Sequence, residues 1–161
     1  MGQSKDNFKL NLAFGQEGEK EVTFLLLKKG YSILPLYQFT DDISPKILKG
    51  DLSFVSPDLT IFKNGKTTFI EAKRKTGWVK YKETIETGCD FRLYEHYKKV
   101  SSETGIELWM VFVHENEKPN GIYAINIKEE GRYWDGKTPQ GKSVHKPMFF
   151  WNFNKMKQID L

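Results

Sequence analysis

Apolar positions change their spacing along this chain, and each change marks an element. Gly15 to Lys29 is rich in good helix formers, sets Val22, Leu25 and Leu26 on one side and stops at Gly30, so it predicts a helix. Residues 1–14 show no clear periodicity and read as an arm. Tyr31 to Phe39 is apolar and β-rich, with Pro35 marking an edge or a bend. Thr40 to Ser56 reads as a loop carrying Asp41, Asp42 and Asp51, where turn chemistry accounts for Asp as well as ligation does. Ser56 to Lys75 reads as two strands around Asn64-Gly65, and Thr76 to Thr87 mixes Trp78 and Tyr81 with lysines. Asp90 to Ser102 has helical spacing in Phe91, Leu93, Tyr94, Tyr97 and Val100, and Gly105 follows. Glu107 to His114 is nearly continuous apolar, as a strand covered on both faces requires. Gly121 to Lys128 alternates like a further strand, Glu129 to Lys146 is a Gly- and Lys-rich loop, and Met148 to Phe153 is a closing strand or edge. Helix, strand, hairpin, helix, strand, strand is the order of an α/β sandwich: a mixed central sheet with helices on its faces.

The hairpin carries the most chemistry. Asn64-Gly65 suits a two-residue type I′ turn, with positive φ at both central positions. Lys63 then pairs with Lys66, Thr60 with Phe69, Leu59 with Ile70 and Asp58 with Glu71. Two carboxylates on one sheet face, with Cβ atoms roughly 5 Å apart, repel each other. Period two adds Lys73 to that face. A divalent cation held by both acids, beside the ammonium, is the most economical way to offset the repulsion. The alternative is a surface ion cluster in which Lys73 alone relieves the acids.

On the first helix, Glu19 lies in register with Val22 and Leu26, whereas Glu17 and Glu21 point further from that stripe. An acid bordering the buried stripe can reach the sheet's carboxylates. A first-turn glutamate favoured by the helix dipole explains it equally well.

Composition narrows the class. A chain of 161 residues with 39% hydrophobic and 14% aromatic content is read as one globular domain, residues 15–161 following the arm, with 129–161 its least patterned part. No apolar run approaches the ~18 residues of a membrane span. The lone Cys89 leaves no internal disulfide and no cysteine-based zinc site, which suits the cytoplasm. His96, His114 and His145 are too widely separated to suggest a zinc hydrolase. The net charge of +4 favours an anionic partner only mildly, but seven basic residues stand against one acid between Lys63 and Lys82. That concentration beside the paired acids is what a phosphate-binding surface needs, and a solvated lysine-rich face is the plain alternative. Arg74, Lys75, Trp78, Lys80 and Lys82, with Arg92 on the second helix, are the candidate DNA contacts; aromatics among cations can stack on bases and hold phosphates.

Pro57-Asp58 followed by Glu71-Ala72-Lys73 resembles the PD-(D/E)XK nuclease superfamily. Gly15 to Gly30, with Glu19 four residues after a glycine, is similar to the first helix of its archaeal Holliday-junction-resolvase branch. The run TGIELWMVF is similar to smaller phage and bacterial members, and the whole resemblance spans residues 15 to about 127. It implies a restriction-endonuclease-like α-β-β-β-α-β core and a metal-dependent endonuclease acting on duplex or branched DNA, working as a homodimer. It also implies a nucleoid-associated protein, of phage or mobile-element origin if the phage-type likeness holds. Asp58 and Glu71, with the Ala72 carbonyl, would hold Mg²⁺ or Mn²⁺, hard cations that favour oxygen donors. Lys73 would orient and activate water, and Glu19 would hold a second ion or bind metal water. The reading from another class is a DNA-binding or assembly module that keeps the fold without cutting.

Overall fold

The computed structural model of the protein describes residues 3–35 and 46–159; Asp41 and Asp42 lie outside them. The first helix, α1, runs from Gln3 to Lys28. It begins well before Gly15, taking in most of the residues read as an arm. Strand β1 (Ser32–Pro35) follows, then a hairpin of β2 (Lys46–Lys49) and β3 (Leu52–Val55) in the stretch read as a loop. Asp51 sits in that hairpin's turn, which explains an aspartate without a ligand.

Next come β4 (Leu59–Lys63) and β5 (Lys66–Lys75), then β6 (Val79–Tyr81) and β7 (Thr84–Asp90). Helix α2 (Phe91–Thr104) leads to β8 (Glu107–His114) and β9 (Gly121–Asn126). The chain closes with β10 (Arg132–Trp134), β11 (Met148–Asn152), a 3₁₀ turn (Phe153–Lys155) and β12 (Lys157–Gln158).

A six-stranded sheet orders these as β1-β4-β5-β8-β9-β12, parallel only between β5 and β8. The hairpin register is the one its turn dictates: Lys63 pairs with Lys66, and Leu59 with Ile70. Asn64 and Gly65 take φ of 51° and 74°, the positive pair a type I′ turn demands. A second sheet, β10-β11-β7-β6, is antiparallel throughout. Nothing in the sequence pattern pointed to it as a separate sheet.

Strand alternation sorts β5 into two faces. Ile70 and Ala72 face Val22 and Leu26 of α1, joined by Val111 and Val113 of β8. Phe69 faces the other way, into a core of Leu108, Met110, Phe112, Tyr94, Tyr97, Phe149 and Trp151. The central sheet is therefore covered by α1 on one face, and by α2 and the second sheet on the other. This is a mixed α/β architecture with the restriction-endonuclease-like fold.

Helix α2 is well terminated at both ends. The Asp90 carboxylate accepts a hydrogen bond from the Arg92 N–H at 2.9 Å, and Gly105 closes the helix in the left-handed conformation. Replacing Asp90 by Ala should lower stability by about 1 kcal/mol. Chemical denaturation measures this, and an unchanged midpoint would show the cap to be dispensable.

Candidate active site

Strand β5 positions the site. Glu71, Lys73 and Lys75 alternate onto the face opposite α1, at the end of the strand that runs on past β4. Glu71 is 2% exposed and Asp58 6% exposed, so both acids are buried. Asp58 stands one residue before β4, just past the last paired position of the hairpin. Its Oδ2 accepts a hydrogen bond from the Ala72 N–H at 2.8 Å. The Glu71 charge acts on it from the same strand.

The charge conflict is present and only partly relieved. Lys73 Nζ lies 2.5 Å from Glu71 Oε1. Glu71 Oε2, equally buried, has no hydrogen-bond partner. Burial first, then the Glu71 charge, hold the Asp58 carboxyl well above the usual carboxylate range; Lys73 and the Ala72 N–H only moderate this. Burial works to lower the pKa of Lys73, but the charges of Glu71 and Asp58 and its bond to Glu71 outweigh it and raise it. Lys73 is thus a firm ammonium at neutral pH.

Glu19 joins the group. Burial, and secondarily Glu71, raise its pKa while Lys73 lowers it, and its charge acts on Asp58 in turn. Packing explains how a helix on the far face delivers it. Gly18 sits so close over β5 that a Cβ there would stand 2.9 Å from the Arg74 Cβ.

The expected DNA contacts divide. Lys80, Lys82 and Arg92 are exposed. Arg74 alternates to the α1 face and is ion-paired with Glu17 of α1 and Glu115 beyond β8. It ties helix to strand and is engaged by acids. Trp78 is a correction: its indole is buried, stacked on His114 with ring centroids 3.7 Å apart, and it donates Nε1–H to the Pro119 carbonyl at 3.1 Å. It packs the core edge and offers no face to a base. Lys75 is half-buried and pairs across the parallel register with His114, whose pKa burial, helped by Lys75, lowers to about 4.

Residues not singled out in the sequence also lie here. Cys89 of β7 faces the charges of Lys75, Lys73 and Glu71, and burial pushes its thiol up to about 12. Arg132 donates to Glu86 Oε2 from Nε at 3.0 Å and from a terminal nitrogen at 2.6 Å, while lying 3.9 Å over the Tyr81 ring. The signal for it was available: Arg132 and Trp134 share one face of a short strand, a basic–aromatic pair like that around Tyr81.

Among the described residues, no three His, Cys, Asp or Glu side chains form a ready metal cluster. The donors suit a hard cation nonetheless, because a buried carboxylate oxygen of Glu71 without a hydrogen-bond partner stands by Asp58, whose carboxyl Glu71 raises more than Lys73 lowers it. Among the described residues, no helix is long and apolar enough to cross a membrane.

The architecture defines the class as restriction-endonuclease-like. Among solved structures, the chain is similar to Hjc of Archaeoglobus fulgidus, a Holliday junction resolvase from an archaeal hyperthermophile. The likeness covers 87% of this chain and 89% of that one, at a TM-score of 0.54 and 14% identity. No protein-family model matches the chain, and no curated protein matches it in sequence.

Proposed function

We propose that this chain is a divalent-metal-dependent deoxyribonuclease, a member of the PD-(D/E)XK superfamily that cuts the DNA backbone as a structure-selective endonuclease. The observation that carries the reading is the buried, unpartnered Oε2 of Glu71, set among Asp58, Lys73 and Glu19. Likeness to a junction resolvase supports the choice of DNA as substrate.

Asp58, Glu71 and the Ala72 carbonyl would hold Mg²⁺ or Mn²⁺, with Glu19 on a second ion or on metal-bound water. When bound, the ion neutralises the phosphate and makes water more acidic. Asp58 is oriented for this by the Ala72 N–H, which fixes one carboxylate oxygen. Lys73, kept protonated by its acidic neighbours, holds the attacking water and stabilises the charge that grows on the phosphate. Lys80, Lys82 and Arg92 hold flanking phosphates by charge, which positions the strand without reading its sequence. Cutting two strands of a branched molecule together calls for two copies, so a homodimer belongs to the same reading.

The test is Mg²⁺- or Mn²⁺-dependent cutting of supercoiled plasmid, four-way junctions and flapped duplexes. Lys73→Ala should reduce cleavage by about 10²–10³-fold, the size of losing one preorganised charge stabiliser. Cleavage that survives EDTA, or is unchanged in Lys73→Ala, overturns the proposal. Salt-sensitive DNA binding without cutting in either metal would make the chain a binding module that retains the fold.

A further inference from the structure

The second sheet builds a feature that the hydrolytic set does not use. Strands β6, β7, β10 and β11, with Lys75 of β5, enclose a cleft of about 440 Å³. That volume lies within the ~300–1,000 Å³ of sites that take small organic ligands. Its lining has two kinds of chemistry. Tyr81, Trp134 and Phe150 supply aromatic surface, with Arg132 over one face of Tyr81 and His145 stacked on Trp134 at 6.0 Å, and Lys75, Lys80 and Arg132 supply positive charge.

Among the described residues, no acid lines the cleft. The Arg132 charge is met from behind by Glu86, and its guanidinium lies over Tyr81 and Phe150, so it braces the aromatic wall. Lys75 and Lys80 make no ion pair among the described residues, and Lys75 is poorly solvated, with burial lowering its pKa. Two ammonium groups without an acid, that of Lys75 lying 5.6 Å over the Phe112 ring, stand beside aromatic surface and match a phosphate joined to a flat base.

Position relates the cleft to the acids. Lys75 follows Lys73 by two residues on the same face of β5, roughly 7 Å along the strand. The cleft therefore opens beside the hydrolytic group and does not contain it. A ligand there would be the nucleotide next to a scissile phosphate. Its base must be unpaired, since a base within a stacked duplex presents no face to a side chain.

We propose that this cleft holds one unpaired nucleotide of a DNA strand, its base against Trp134 and Tyr81 and its phosphate on Lys75 and Lys80. Resting on the nuclease reading, this makes the preferred substrate a duplex with unpaired bases beside the cut, such as a flap or fork, over an uninterrupted duplex.

The experiment titrates the intact chain in EDTA, where metal-dependent cleavage is off, with fluorescein-labelled oligothymidylate and with a duplex of equal length. Trp134→Ala should weaken single-strand binding roughly tenfold, the scale of one lost base–aromatic stack. Trp134→Phe should restore most of it, and Lys80→Ala should weaken it too. Duplex binding should change less than about twofold in the Trp134 variants, because duplex contacts are to phosphates and not to base faces, whereas Lys80→Ala should weaken both DNAs, single strands more. Tyr81→Ala, at an exposed ring, repeats the test should Trp134→Ala fail to fold. Equal losses on both DNAs, or none on single strands, overturn the proposal. Free thymidine monophosphate competing as well as the oligonucleotide, nucleotide for nucleotide, also overturns it by assigning the cleft to a free nucleotide. Cleavage assays on the same variants separate the two readings. Nuclease activity with single-strand binding indifferent to Trp134, Tyr81 and Lys80 removes the cleft and keeps the hydrolytic site. Single-strand binding that depends on these residues, with no cleavage in the parent chain, keeps the cleft and removes the hydrolytic reading.

Discussion

Replacing Asp58 by Asn should abolish the proposed metal-dependent cleavage and at the same time make the metal-free protein more stable at neutral pH. The first effect follows from losing a carboxylate that, in the proposed reading, would hold the ion that neutralises the phosphate. Such a contribution is several kcal/mol, so the rate should fall at least about 10³-fold at 1.36 kcal/mol per decade. The second follows from the site's own electrostatics. Asp58 has a folded-state pKa raised by burial and by Glu71. A carboxyl raised in this way favours folding only while protonated. Its stabilisation is complete below the ordinary aspartate range and is lost as pH climbs through the raised value. Asn keeps the oxygen that accepts from the Ala72 N–H and removes the charge. The variant should therefore melt higher than the parent at pH 8, by about 2–4 °C for each kcal/mol relieved, and the gap should close near pH 4. Thermal melts in EDTA across that range give the answer. A variant that is inactive but less stable at pH 8 would mean that Asp58 is a structural acid whose charge the fold needs.

Replacing Trp151 by Ala should destabilise the whole protein by about 3–5 kcal/mol, the usual cost of emptying a large aromatic site. Its indole is fully buried, at 0% exposure. It meets Phe149 edge-on at 5.0 Å and Tyr94 at 5.8 Å, tilts against Phe112 at 6.0 Å, and donates Nε1–H to the Glu129 carbonyl at 3.2 Å. Those partners belong to β11, α2 and β8, so one ring joins the second sheet to the central one. A melting temperature lower by roughly 6–20 °C, in a single transition, is expected for a chain of this size. Two separate transitions would show the second sheet to be an independent unit.

The parts of the fold that could be read from the sequence are those decided locally. Asn64-Gly65 sets the central hairpin's register unaided, Asp90 and Gly105 bracket α2, and the run from Glu107 to His114 is a strand buried on both faces. The parts that could not be read depend on distant partners. Strand β7 (TIETGCD) shows no apolar alternation, because Glu86 is buried against Arg132, 46 residues away. Lysines at both ends of β2, and an aspartate in the turn to β3, disguised that hairpin as a loop. The site divides in the same way. Asp58, Glu71 and Lys73 follow from turn geometry and strand period, whereas Trp78 looked like a nucleic-acid contact until its partner His114 was in view.

Gly18 carries no side chain, yet it sets how near α1 lies to β5 and so where Glu19 arrives. The contact is made by the lack of a side chain. Alanine trims Glu19 and so registers its carboxylate, but at Gly18 the same alanine adds a Cβ that would stand 2.9 Å from the Arg74 Cβ and press α1 away from β5. The geometry of this centre is thus governed partly from a position that has no functional group to remove, and only enlarging it exposes the control.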